Sequence, residues 1–151
     1  MYKKITIFLS LLFFLFSCGY SPIYNSSIDN EFYLEITNLD GDNYVNKLIK
    51  TNLNKYSKKD SDKKFQIKIY TILEKKDLSK DITGKISNYQ ITIVSTFHIS
   101  SSNSNKKIVI KENFNLKNSE NTFEKQQYEK SIIKNYAESS ARKLILELLR
   151  L

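Results

Sequence analysis

Four stretches of this chain alternate apolar and polar residues one for one, and two others repeat in threes and fours. In Glu31–Leu39, Phe32, Leu34 and Ile36 share one side while Tyr33, Glu35 and Thr37 take the other. A period of two is the mark of a half-buried strand. The same alternation returns in Phe65–Leu73, with Phe65, Ile67, Ile69 and Leu73 inward. It recurs in Tyr89–Ile99, with Tyr89, Ile91, Ile93, Phe97 and Ile99 inward, and in Ile108–Leu116, with Ile108, Ile110, Phe114 and Leu116 inward. Between the first two strands, Asp42–Tyr56 places Val45, Leu48, Ile49, Leu53 and Tyr56 on one helical stripe. Asp40-Gly41-Asp42 breaks the strand before it, and either aspartate suits a helix cap. Asn121–Leu151 is the second helix: Asn121 with Glu124 three residues on marks its start, and Ile133, Ala137, Ser140, Leu144 and Leu148 trace its stripe. Tyr136, Ala141 and Leu151 widen that stripe.

The linkers fit this division. Ser57–Lys64 and Lys75–Gly84 are charged connections, and Ser100–Asn105 is a polar turn. The order is strand, helix, three strands, helix. The first helix returns the chain to a parallel neighbour, and the later strands form an antiparallel meander. The fold class expected is α+β, a two-layer sandwich with both helices on one face of a four-stranded sheet. Its other face, carrying Gln66, Lys68, Gln90, Thr92 and His98, is left polar and open.

The first residues follow a different pattern. Lys3 and Lys4 precede an apolar run from Ile5 to Phe16, and Leu15-Phe16-Ser17 leads into Cys18, the only cysteine. A charged start, an apolar run of about 7–15 residues and small residues at the cut make an export signal. Leu at −3 and Ser at −1 before a cysteine resemble the bacterial lipobox. The division expected is a signal peptide at 1–17, a lipidated tether at 18–30 and one domain at 31–151. Crossing a bilayer takes about 20 apolar residues, and this run is shorter. Several acyl chains on Cys18 would anchor the protein stably where one would not. Gly19, rather than Asp, follows the cysteine, which implies transfer to the outer membrane in bacteria that read an aspartate there as a retention signal.

Charge narrows the partners. The chain carries 24 Lys and Arg against 16 Asp and Glu, and 22 against 16 once Lys3 and Lys4 leave with the signal. For an exported chain this favours anionic headgroups or acidic protein surfaces over nucleic acid. No catalytic constellation is present. His98 is the only histidine and has no cysteine or carboxylate cluster with which to share a metal. No serine sits in a G-x-S-x-G elbow, and no glycine-rich phosphate loop occurs. The expectation is a chain that is not an enzyme and has no cofactor beyond the lipid on Cys18. Lys75, Lys76, Lys80 and Lys85 cluster before the longest strand, and Lys125 opens the last helix close to Glu124 and Glu129.

Cys18-Gly19-Tyr20 with Pro22-Ile23-Tyr24, the order of elements, Tyr89-Gln90-Ile91 and Ile132-Ile133-Lys134 together resemble the LptE family, outer-membrane lipoproteins of lipopolysaccharide assembly. The resemblance implies a plug inside the LptD β-barrel, bound one to one, that helps the barrel fold and contacts lipopolysaccharide. It also implies that basic residues before the Tyr-Gln strand and at the start of the last helix touch lipopolysaccharide. Lys125 matches the second place. The first falls on Ile82, with Lys80 or Lys85 as the nearest cations. The same two-layer fold also suits a lipoprotein subunit of some other envelope or transport complex.

Overall fold

The structure is a computed structural model that describes residues 32–102 and 104–151. Cys18, the signal segment and the tether lie outside the described residues. The elements are β1 (Phe32–Gly41), α1 (Asn43–Asn54), β2 (Lys63–Lys80), β3 (Ile86–Ser100), β4 (Asn105–Lys117) and α2 (Thr122–Leu148). The sheet order is β1-β2-β3-β4, with β1 parallel to β2 and the other neighbours antiparallel. Both helices pack against each other over one face, α1 above β1 and β2, α2 above β4. This is the α+β two-layer arrangement that the periodicities predict.

The β1–α1 corner follows from three residues. Gly41 has φ +83°, and a Cβ there would stand 2.0 Å from the Thr71 carbonyl oxygen, so only glycine fits. The Asp42 amide donates to that same carbonyl at 2.8 Å. The Asp42 carboxylate then accepts from the Val45 amide at 2.9 Å and caps α1. Asn121 caps α2 in the same way, accepting from the amides of Phe123 and Glu124.

Inward residues of all four strands meet the helix stripes in one core. Val45, Ile49, Leu53, Ile67, Ile91, Ile93, Phe97, Leu144 and Ile145 are fully buried there. Each such aliphatic side chain contributes about 1.5–3 kcal/mol relative to exposure. Two polar strand residues lie within it, Thr71 on β2 and Ser95 on β3, and their hydroxyls are 2.9 Å apart. Tyr136 of α2 donates its buried hydroxyl to the Ile110 carbonyl at 3.0 Å. Buried polar groups need partners, and these have them.

Three expectations change. Lys75–Gly84 is not a loose connection: β2 continues through Lys80, pairing with β3 as far as Lys80 opposite Ile86. Backbone pairing extends the hairpin beyond the last apolar residue, with irregular register at Asp77–Lys80. Only Asp81–Lys85 turns. Leu151 lies outside α2 and is half exposed, so it does not widen the helix stripe. The open sheet face is not uniformly polar either, because Tyr70, Ile72 and Val109 are exposed at its centre.

Candidate functional site

The far end of the β2–β3 hairpin and the start of α2 lie together. Asn118, just past β4, donates its amide to the Ser87 carbonyl at 2.8 Å and its side chain to the Ile86 carbonyl at 2.9 Å. Its side-chain oxygen accepts from the Lys125 ammonium at 2.7 Å. Lys125 thereby stands over the Tyr89 ring, 4.6 Å from its centroid, a cation–π geometry. One helical turn on, Glu129 takes the Tyr89 hydroxyl at 3.0 Å and the Lys75 ammonium at 2.5 Å. Strand, strand and helix are tied at one carboxylate.

The electrostatics follow from that carboxylate. Burial pushes Glu129 upward, but hydrogen bonds from Lys75 and Tyr89 and the charges of Lys75 and Lys125 outweigh it, so the group sits below its ordinary value. Burial and the Glu129 acceptor raise the Tyr89 phenol to about 12.

The hairpin turn is built on Asp81, whose carboxylate accepts from the Thr83 amide, the Thr83 hydroxyl and the Lys85 amide at 2.7–3.0 Å. The Thr83 hydroxyl bond holds the Asp81 carboxyl below its usual range; desolvation opposes it, and the backbone amide bonds add to the lowering. Gly84 adopts φ +82° to close the turn. Lys80 and Lys85 flank it, exposed and with no side-chain partner among the described residues. Ile82 at the tip is fully exposed at 105%, Leu78 is 47% exposed, and Phe123 in the first turn of α2 is 69% exposed.

Lys80, Lys85 and Lys125, predicted from the sequence, therefore gather at one end of the sheet. Lys125 is engaged by Tyr89 and Asn118, whereas Lys80 and Lys85 reach into solvent. Sequence reasoning missed the apolar company of Leu78, Ile82 and Phe123, and it missed Tyr89, Asn118 and Glu129 as the framework. One signal was available: Glu129 lies four residues after Lys125, on the same helix face. His98 lies exposed on the open sheet face, and the described residues hold no group of three or more metal-ligating side chains.

No family model matches the chain, nor does any curated protein sequence. Solved structures do. Rare lipoprotein B from Shewanella oneidensis aligns with a TM-score of 0.58 at 14% identity, over 79% of this chain and 93% of its own. Lipoprotein B from Nitrosomonas europaea, described as uncharacterized, aligns with a TM-score of 0.50 at 12% identity, over 76% of this chain and 82% of its own. At such identities the likeness establishes the fold, and this chain shares the fold of these lipoproteins.

Proposed function

We infer that the chain is a lipid-anchored envelope protein of the LptE type: a plug and assembly partner of a large outer-membrane β-barrel that touches lipopolysaccharide in transit. It acts by occupying space and binding, not by catalysing a reaction. The observation that carries the reading is the amphiphilic end of the domain. Lys80, Lys85 and Lys125 stand there beside exposed Leu78, Ile82 and Phe123, which suits a ligand bearing both phosphates and acyl chains. The lipobox-like approach to Cys18 supports anchoring, and the lipoprotein fold supports the family. A compact domain with an open, largely polar sheet face also fits the polar interior of a wide barrel.

The test uses the full-length chain purified in detergent. Lys80→Asp, Lys85→Asp and Lys125→Asp should each weaken binding in a lipopolysaccharide titration while barrel association persists. The triple variant should lose binding. Undiminished binding by the triple variant removes this end of the molecule from the account. Cys18→Ala should abolish labelling by a fatty-acid analogue, and labelling that persists contradicts the anchor.

A further inference from the structure

A second basic cluster lies at the opposite end of the sheet, on the open face. The register sets Lys68 of β2 opposite His98 of β3, and His98 opposite Lys107 of β4. All three are exposed, and none has a side-chain hydrogen bond or ion pair among the described residues. Directly opposed side chains in a sheet stand about 4.5–5.5 Å apart at Cβ, so His98 lies between two ammonium groups that are two strands apart.

Three other cross-strand pairs on this face are matched. Glu35 accepts from Gln66 at 3.1 Å, Gln90 donates to Asn115 at 2.7 Å, and Thr92 donates to Asn113 at 3.0 Å. The Lys68–His98–Lys107 row has no such complement. A groove runs along it, lined also by Ile99, Ser100, Asn105 and Lys106, with no carboxylate in its wall. Lys106 is already held by Glu147 at 2.9 Å from the helix side. The nearest acids on the open face, Glu35 and Asp40, belong to β1 and form no ion pair with Lys68. Lys64 and Lys111 add to the positive field on either side.

We propose that the Lys68–His98–Lys107 row is a binding site for a phosphate group. The long, flexible side chains of Lys68 and Lys107 can close over His98 on one phosphate and hold it by charge-assisted hydrogen bonds. The Ser100 hydroxyl and Asn105 amide in the same groove offer neutral donors. This site is separate from the hairpin end: Tyr89 and His98 are nine residues apart on β3 (98 − 89 = 9), about 30 Å along a strand. It does not rest on the barrel-plug reading, and either can fail without the other.

The experiment uses the full-length chain in detergent micelles, with inorganic phosphate as one probe and phosphatidylglycerol mixed into the micelles, compared with phosphatidylcholine, as the other. Binding of each probe is followed by the amide resonances of His98–Ser100 and Asn105, and that of phosphate also by calorimetry. The test variant is Lys68→Gln with Lys107→Gln. The control is Lys76→Gln with Lys117→Gln, which removes equal charge from the same face. The test pair should weaken binding by about tenfold or more and the control pair by less than about twofold. Loss of phosphate binding alone in the test pair identifies a free phosphate, loss of phosphatidylglycerol binding a lipid headgroup, and either supports the site. Binding of neither probe overturns the proposal, as does binding that the test pair leaves unchanged. So does an equal loss in the control pair, which would mean general basicity and no site.

Discussion

Replacing Tyr89 with phenylalanine isolates the bond on which the hairpin, the sheet and α2 converge. At neutral pH the variant loses one hydrogen bond to an ionised acceptor while Lys75 still holds Glu129. Such bonds contribute about 1.5–3 kcal/mol, and the remaining partner lowers the expected cost to about 1–2 kcal/mol. At high pH the sign reverses. The folded phenol titrates at about 12 and the unfolded one at about 10. Between those values the unfolded chain has released a proton that the folded chain keeps, so stability falls with rising pH at about 1.4 kcal/mol per pH unit. By pH 12 the wild type has lost about 2–3 kcal/mol that the phenylalanine variant never had at risk. The assay is urea unfolding by circular dichroism from pH 7 to 12, with both proteins sharing the background titration of lysines and other tyrosines. The wild type should be the more stable at pH 7, and the two should converge or cross by pH 12. A stability difference that stays constant across this range would mean that folding does not hold the Tyr89 phenol protonated.

Glu129→Gln should cost stability at neutral pH, and its gap to wild type should shrink in acid. The folded carboxyl sits below its ordinary 4.5, so its stabilisation is present above that pH and lost as pH falls through the depressed value, which paired unfolding curves at pH 3 and pH 7 will show. Gly41→Ala combines a left-handed φ with a Cβ 2.0 Å from the Thr71 oxygen. Thermal unfolding should register a loss of about 3 kcal/mol or more, and a loss under about 1 kcal/mol would mean that the corner relaxes freely. Thr71→Val and Ser95→Ala should each cost about 1–3 kcal/mol by orphaning the other hydroxyl. The double variant should cost clearly less than their sum, and strict additivity in that cycle would show that the two hydroxyls are not coupled.

The sheet and helices were legible because their burial follows strict periods. Odd-numbered residues from Tyr89 to Ile99 all turn inward, and the Asp42 and Asn121 caps are local signals with a local effect. Ser95 was hidden in that alternation. A serine on an apolar face carries no sign of the threonine it will meet 24 residues away in the chain. The hairpin arm from Lys75 to Lys80 was equally hidden, because backbone pairing with β3 holds it and its side chains alternate weakly. Lys80, Lys85 and Lys125 were found as residues, yet their gathering depends on Asn118 reaching from the end of β4 to Ile86 and Lys125. The Lys68–His98–Lys107 row needs the register of two strand pairs, which spacing within any one strand does not contain.

We infer that this domain works inside a larger partner. Extracting the full-length protein gently from native outer membranes and weighing the complex by native mass spectrometry tests it most directly. One copy bound to one large β-barrel protein, with little free chain, is the expected result. A monomer that leaves the membrane alone, or a stable complex with a different envelope assembly, would contradict it.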